Sequence, residues 1–175
     1  DAHDCTTNSG RYYLREISVP DGYLIEQSVI PVEFTYENQF IAWQVVDCLH
    51  SDKQTTVEID KRAFTSDSDD TFALTGATLT VTDWNGNVVD SWESSDTAHV
   101  ICGLHLSHDF AGNRDTSKVY TLAETCPADG YTTARSIQFR LEQATDDNAY
   151  LQETAVWVLH ESEDTAYQSG SIISP

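Results

Sequence analysis

Residues 78–92 read TLTVTDWNGNVVDSW, and this stretch decides the fold class. Leu79 and Val81 alternate with threonines, which is the period-two pattern of a strand with one buried face. Asn85-Gly86 then separates two β-rich runs. That dipeptide predicts a hairpin with a type I′ turn, because both central residues of such a turn need positive φ. The stretch is therefore predicted to be a β-hairpin.

Other short runs along the chain carry the same strand signals. None of them keeps helical periodicity over three turns, so the predicted fold class is all-β. Strands are predicted at 57–61, 99–104, 120–122, 137–141 and 154–159.

The composition excludes several classes of function. Among 175 residues, 29 acidic residues outweigh 9 basic ones and give a formal net charge of −20. Such a polyanion repels phosphate backbones and anionic lipids, so we expect no nucleic-acid partner. No run of 18 apolar residues is present, so no membrane insertion is expected. The chain has no nucleophile elbow, phosphate-binding glycine loop or zinc-protease motif, so we expect neither an enzyme nor a cofactor.

An internal repeat divides the chain. Residues 12–23 read YYLREISVPDGY, and residues 120–131 read YTLAETCPADGY. An alternating strand with a phenylalanine follows each copy, and a tryptophan-containing apolar strand comes later, which indicates tandem modules. The second copy has predicted strands upstream, whereas only eleven residues precede the first. We therefore assign 1–52 to the C-terminal part of one module, 53–162 to a complete module and 163–175 to a tail or terminal strand.

The second module resembles the Cna-B (SpaA-type, prealbumin-like) repeat of Gram-positive surface adhesins and pilins. The resemblance covers residues 55–162, and residues 12–50 show the C-terminal half of a second copy. It implies Ig-like or prealbumin-like β-sandwiches that serve as a stalk or spacer at the bacterial cell surface, in the cell wall or a pilus. The matching segments are VEIDK at 57–61, LTGATLTV at 74–81, DWNG at 83–86, ICGL at 101–104 and residues 120–131.

The resemblance also implies a candidate isopeptide site. In that family a lysine attacks the side-chain carbonyl of an acceptor Asn or Asp without an enzyme, and a buried acid promotes the reaction. Burial favours the neutral, nucleophilic amine, and a protonated acid can polarise the acceptor. Carried over by motif, Lys61 would be the nucleophile and Glu124 the acid. The simpler interpretation makes Lys61 a surface cation at a strand end and Glu124 a carboxylate hydrogen-bonded to the following turn.

The acceptor is the part of this site that does not match. The last predicted strand ends near His160, where the family has its acceptor, and imidazole cannot serve. The nearest amide, Asn148, lies in a predicted turn, so we expect no cross-link. In the first module Glu16 matches the acid and Asp47 lies near the acceptor place, but the matching lysine is absent. These two residues form a vestigial half-site.

Four cysteines scattered singly along an acidic chain suit disulfides in an oxidising environment. The resemblance places the segments of Cys102 and Cys126 close together and implies that pair, which leaves Cys5 with Cys48. Four cysteines permit three connectivities, and the sequence alone does not select one.

A second function class rests on the long insertion at 104–119. His105 and His108 lie in it, and Trp84 borders a turn, so these residues are candidates for contacting a host protein or a glycan. The two histidines lack a committed set of further ligands, and no metal site is expected. For a stalk, the expected partners are neighbouring modules of the same protein or further copies, recruited by strand exchange at the open edges of the first module.

Overall fold

The computed structural model describes residues 10–34, 45–49, 51–64, 71–109 and 111–143, with the backbone of 154–159, 164–167 and 171–172. These parts of the chain form strands and no helix, which confirms the all-β fold class. The strands are β1 (Gly10–Leu14), β2 (Tyr23–Leu24), β3 (Ile30–Phe34), β4 (Lys53–Gln54), β5 (Thr56–Ile59), β6 (Arg62–Phe64), β7 (Thr71–Ala73), β8 (Thr78–Thr82), β9 (Val88–Glu93), β10 (His99–Cys102), β11 (Leu106–His108), β12 (Tyr120–Cys126), β13 (Ile137–Gln143), β14 (Thr154–Leu159), β15 (Asp164–Tyr167) and β16 (Ser171–Ile172).

The two largest sheets are built from strands between Thr56 and Ile172. The larger has the strand order β15-β14-β13-β12-β8-β9, with β11 added in parallel to β13, and the smaller has the order β10-β5-β16. Alternating apolar residues of both sheets point into one core and exclude water, which is the main stabilising term of a sandwich. The core residues are Val57, Ile59, Leu79, Val81, Ile101, Leu104, Tyr120, Leu122, Phe139 and Leu141.

The predicted hairpin at 78–92 is confirmed, but its turn lies one residue earlier than predicted. β8 and β9 pair antiparallel, and the Gly86 N–H donates to the Asp83 carbonyl over 3.0 Å. The central residues are therefore Trp84 and Asn85, and Gly86 follows them with φ of 82°. The Asp83 carboxylate selects this turn because it accepts hydrogen bonds from the N–H groups of Asn85 and Asn87, both at 2.8 Å.

The same turn occurs again in the insertion. Asp109 accepts hydrogen bonds from the backbone N–H of Asn113 at 2.9 Å and from its side-chain amide at 2.8 Å, and Gly112 has φ of 89°. Asp83 and Asn87 make the matching side-chain contact at 2.9 Å. The spacing Asp-x-x-Gly-Asn was the available sequence signal, and sequence analysis missed it.

The internal repeat has a common geometry in both copies. Gly22 and Gly130 occupy equivalent positions with φ of 85° in each. Glu16 accepts a hydrogen bond from the N–H ten residues later, at Glu26, over 2.8 Å. Glu124 likewise accepts one from the N–H of Ala134, also ten residues later. The boundaries proposed for the two modules remain a prediction.

The predicted Cys102–Cys126 disulfide is absent from the structure. Cys102 and Cys126 are both free and exposed. Cys102 ends β10, where Ile101 takes the inward position, and Cys126 ends β12 in the other sheet. The implied pairing ignored the faces on which these residues lie. Cys48 is also a free, exposed thiol, and Cys5 lies outside the described residues.

Candidate functional site

Lys61 is buried directly after β5. Along β5 and the start of β6, alternate residues point inward, and the row comprises Val57, Ile59, Lys61 and Ala63. Only 8% of Lys61 is exposed. The interpretation of Lys61 as a surface cation is therefore wrong.

Glu124 meets this lysine from the opposite sheet. On β12 the inward row comprises Tyr120, Leu122 and Glu124. The Glu124 Oε1 atom lies 3.4 Å from Lys61 Nζ, with the two side chains 1% and 7% exposed. Oε2 accepts the hydrogen bond from Ala134, whereas Oε1 has no hydrogen-bond partner among the described residues. The ion pair thus joins the two sheets across the edge of the core.

Losing one partner of this ion pair costs more free energy than the intact pair contributes. Desolvating two charges offsets most of their attraction, so an intact buried pair adds little, but a single remaining charge is costly. By contrast, the Arg11–Glu33 pair of the first repeat is 65% and 55% exposed and solvent-screened. The stability of the core around Lys61 and Glu124 should therefore depend on both residues together.

A terminal strand, β16, pairs with β5, the strand that precedes Lys61. β16 pairs in parallel with β5, with Ser171 opposite Glu58 and Ile172 opposite Ile59. β14 lies instead in the larger sheet between β13 and β15. β15 and β16 follow β14, so the strand that ends near His160 is not the last strand of the chain that the structure describes. His160 and Asn148, the two residues considered at the acceptor place, lie outside the described residues.

We predict that Lys61 keeps a free amine. It faces a carboxylate in an ion pair, and residues 168–175, QSGSIISP, contain neither Asn nor Asp. The intact mass of the denatured chain should equal the mass of its sequence. Loss of one ammonia or one water would refute this, and fragmentation would then identify the acceptor.

The two repeats meet at Thr55, which is fully buried. Its N–H donates to the Gly22 carbonyl over 2.9 Å, and its hydroxyl donates to the Leu104 carbonyl over 2.6 Å. Its own carbonyl accepts the Gly103 N–H over 2.9 Å. Thr55 therefore links the turn of the first repeat to the end of β10 in the second.

A second buried contact also joins the two repeats. The side-chain amide of Gln143 donates to the Ile25 carbonyl over 2.7 Å, and its oxygen accepts the Ile25 N–H over 3.2 Å. Both residues are buried, so the Gln143 amide provides hydrogen-bond partners for Ile25 backbone groups that water does not reach. The junction is a buried, hydrogen-bonded interface, and no local sequence pattern predicts it.

The insertion proposed for ligand contact packs against the first repeat. His105 Nδ1 lies 2.9 Å from Asp21 Oδ1, and the Asn113 side-chain amide donates to the Ile17 carbonyl over 3.3 Å. His108 lies on β11, which pairs with β13. Its backbone also forms an isolated antiparallel β-bridge with that of Arg114. Through the contacts of His105 and Asn113, the insertion connects the two repeats, and we name residues 105–115 the clasp.

Trp84 lies beside this clasp and is 37% exposed. The Lys118 ammonium lies over the Trp84 ring, 4.3 Å from its centroid, and this ring makes T-shaped contacts with the rings of His105 and Tyr120. The structure therefore brings Trp84 and His105 together, while one ring face is covered by a cation.

Tyr120 provides a test at alkaline pH. Burial raises the pKa of its hydroxyl, which accepts the His105 N–H over 2.9 Å. The unfolded chain therefore ionises at this position before the folded chain does, and stability falls as pH rises above about 10. In urea titrations at about pH 8 and about pH 10.5, Tyr120→Phe should lose less stability between the two pH values than the wild type. Tyr131→Phe, at an exposed tyrosine, should keep the wild-type loss, and an unchanged loss in Tyr120→Phe would contradict the argument.

A cleft of about 250 Å³ lies between segments 18–23 and 105–115. Asp21, Tyr23, His105 and Asp115 contribute to its wall. Within the described ranges, no group of three or more His, Cys, Asp or Glu side chains is placed to hold a metal ion. The same part of the chain contains no helix long and apolar enough to span a membrane.

No protein-family model matches the chain, and no curated protein matches it. Four chains of solved structures match this chain, among them the following two. One is the Bacillus anthracis TIE protein, with a TM-score of 0.45 and 19% identity over 79% of this chain and 23% of that one. The other is the pilus adhesin SpaC from Lactobacillus rhamnosus GG in its open conformation, with a TM-score of 0.42 and 16% identity over 96% of this chain and 24% of that one. The chain spans about a quarter of the length of each of these proteins.

Proposed function

We propose that the chain is a structural stalk or spacer of an extracellular bacterial surface protein, of the adhesin or pilus type. The observation that carries the proposal is the buried Thr55 junction between the repeats. Linked modules move relative to each other unless their interface is well packed. A stalk must hold its modules in line, and the buried hydrogen bonds at Thr55 and Gln143 serve that purpose.

Two further features support a load-bearing role. The Lys61–Glu124 pair connects the two sheets of the second module where the family resemblance has a covalent staple. Polar side chains of the insertion, His105 and Asn113, form hydrogen bonds with the first repeat. The extracellular location belongs to the same proposal and rests on the motifs at 57–61, 74–81 and 120–131.

A binding role is the second candidate, and the cleft beside His105 is the observation that favours it. Its volume of about 250 Å³ lies just below the range of about 300–1,000 Å³ typical of small-molecule sites. Asp21 and Asp115 would supply acceptors for ligand hydroxyl groups, and Trp84 lies beside His105. A glycan or a peptide of a host protein fits this chemistry.

A ligand screen separates the two functions. The chain, displayed in many copies on beads, would be tested against a glycan array and immobilised matrix proteins. A stalk retains no ligand. A retained ligand that is lost in Trp84→Ala or Asp115→Ala, but kept in Val88→Ala on the exposed face of the same hairpin, would contradict the stalk proposal. Point variants are needed because shortening 105–115 would also remove the clasp.

A further inference from the structure

The first repeat presents an apolar sheet face to solvent. β1 and β3 pair antiparallel, with Tyr12 opposite Val32 and Leu14 opposite Ile30. Tyr12 is 43% exposed and Leu14 is 48% exposed, although both belong to one continuous apolar row. We name this surface the β1–β3 face, and it comprises Tyr12, Leu14, Ile30, Val32 and Phe34.

The second repeat has the same face in a buried state. β12 and β13 pair in the equivalent register, with Tyr120 opposite Phe139 and Leu122 opposite Ile137. Tyr120 is 4% exposed and Leu122 is 5% exposed. The tyrosine and the leucine are identical in the two repeats, so the difference in exposure comes from what lies over them.

The structure shows what covers the equivalent face. Val57 and Ile59 of β5, with Ile101 of β10, belong to the same buried cluster as Tyr120 and Leu122. β8 pairs along the free side of β12 and places Val81 opposite Leu122. In the first repeat, β1 pairs with β3 and with no other strand that the structure describes.

We propose that the β1–β3 face docks a polypeptide segment carrying strands with the pattern of β5, β8 and β10. Its edge strand would pair antiparallel with β1 in the register that β8 adopts on β12, a form of strand addition to a sheet edge. This docking follows from the likeness of the two repeats and does not depend on the proposed stalk function. A second copy of this chain is a poor source of these strands, because its own β5 and β8 are buried in its second module, with Val57 and Val81 fully inaccessible.

The chain's own hairpin sequence provides the probe. A fluorescent peptide with the sequence of residues 76–94, which presents Leu79 and Val81 in the β8 pattern, would be titrated with the full chain and followed by anisotropy. We expect saturable binding that a scrambled peptide does not show. Leu14→Lys should weaken it at least about tenfold, because it places a charge on the docking face.

Tyr13→Lys is the matched control, because Tyr13 lies on the opposite face of the same strand and is already exposed. It should bind the peptide as the wild type does. Absence of binding by the wild type, or an equal loss in both variants, would overturn the proposal.

Analytical sedimentation of the chain alone tests whether a second copy of the chain occupies the β1–β3 face. A monomer over the accessible concentration range is the expected result. Self-association that Leu14→Lys abolishes and Tyr13→Lys retains would make a second copy the occupant, and the proposed partner would be wrong.

Discussion

Glu124→Ala is expected to lower the free energy of unfolding by about 3–5 kcal/mol. The substitution leaves the Lys61 ammonium buried in the second module without the carboxylate that lies 3.4 Å from it. An uncompensated buried charge keeps the full desolvation cost and loses the attraction that offset it. Urea denaturation at neutral pH measures the change.

Two variants complete this experiment. The double substitution Lys61→Met with Glu124→Leu removes both charges and keeps side-chain volume, so it should recover most of the lost stability. Glu33→Ala removes one partner of the exposed Arg11–Glu33 pair and should leave the midpoint nearly unchanged. The account of the buried pair fails if Glu124→Ala costs no more than Glu33→Ala, or if the double variant is as unstable as the single one.

Gly22→Ala is the second substitution with a large expected effect. A Cβ at Gly22 would lie 2.8 Å from the carbonyl carbon of Gly103 and still closer to its oxygen, and both belong to the backbone of the other repeat. The positive φ adds about 1–2 kcal/mol of strain for a residue with a side chain. Forced separation of the two backbones should add about 1–3 kcal/mol.

The internal repeat supplies a matched control for this prediction. Gly130 has the same φ of 85° in the equivalent turn, but a Cβ there would meet nothing within 4 Å. Gly130→Ala therefore carries the backbone strain without the collision. Equal losses of stability in the two variants would show that the repeats are not in close contact at Gly22.

The sequence predicted the local parts of the fold well. The period-two alternation at 78–82 identified a strand and its inward residues. The same alternation along 57–63 also places Lys61 on the inward face, although the sequence analysis offered a surface position for it as well. The approach of Lys61 to Glu124 joins residues 63 positions apart, so no local pattern contains it, and the family resemblance alone suggested it.

The features that were predicted wrongly, or not at all, depend on long-range contacts. The disulfide pairing failed because resemblance gave the strands of Cys102 and Cys126 but not the faces of those residues. The hairpin turn lies one residue earlier than predicted because the Asp83 carboxylate accepts hydrogen bonds from the N–H groups of the turn. The junction residue Thr55 stands in a polar linker sequence, and its role appears only when Gly22 and Gly103 are brought to either side of it.

The central claim is that the two repeats form one mechanical unit, joined at Thr55 and Gln143. Differential scanning calorimetry of the wild-type chain tests it most directly. The account predicts one unfolding transition in which the calorimetric enthalpy equals the van't Hoff enthalpy, the sign of a single cooperative unit. Two separate transitions, with the upper one unchanged when residues 1–50 are deleted, would contradict it.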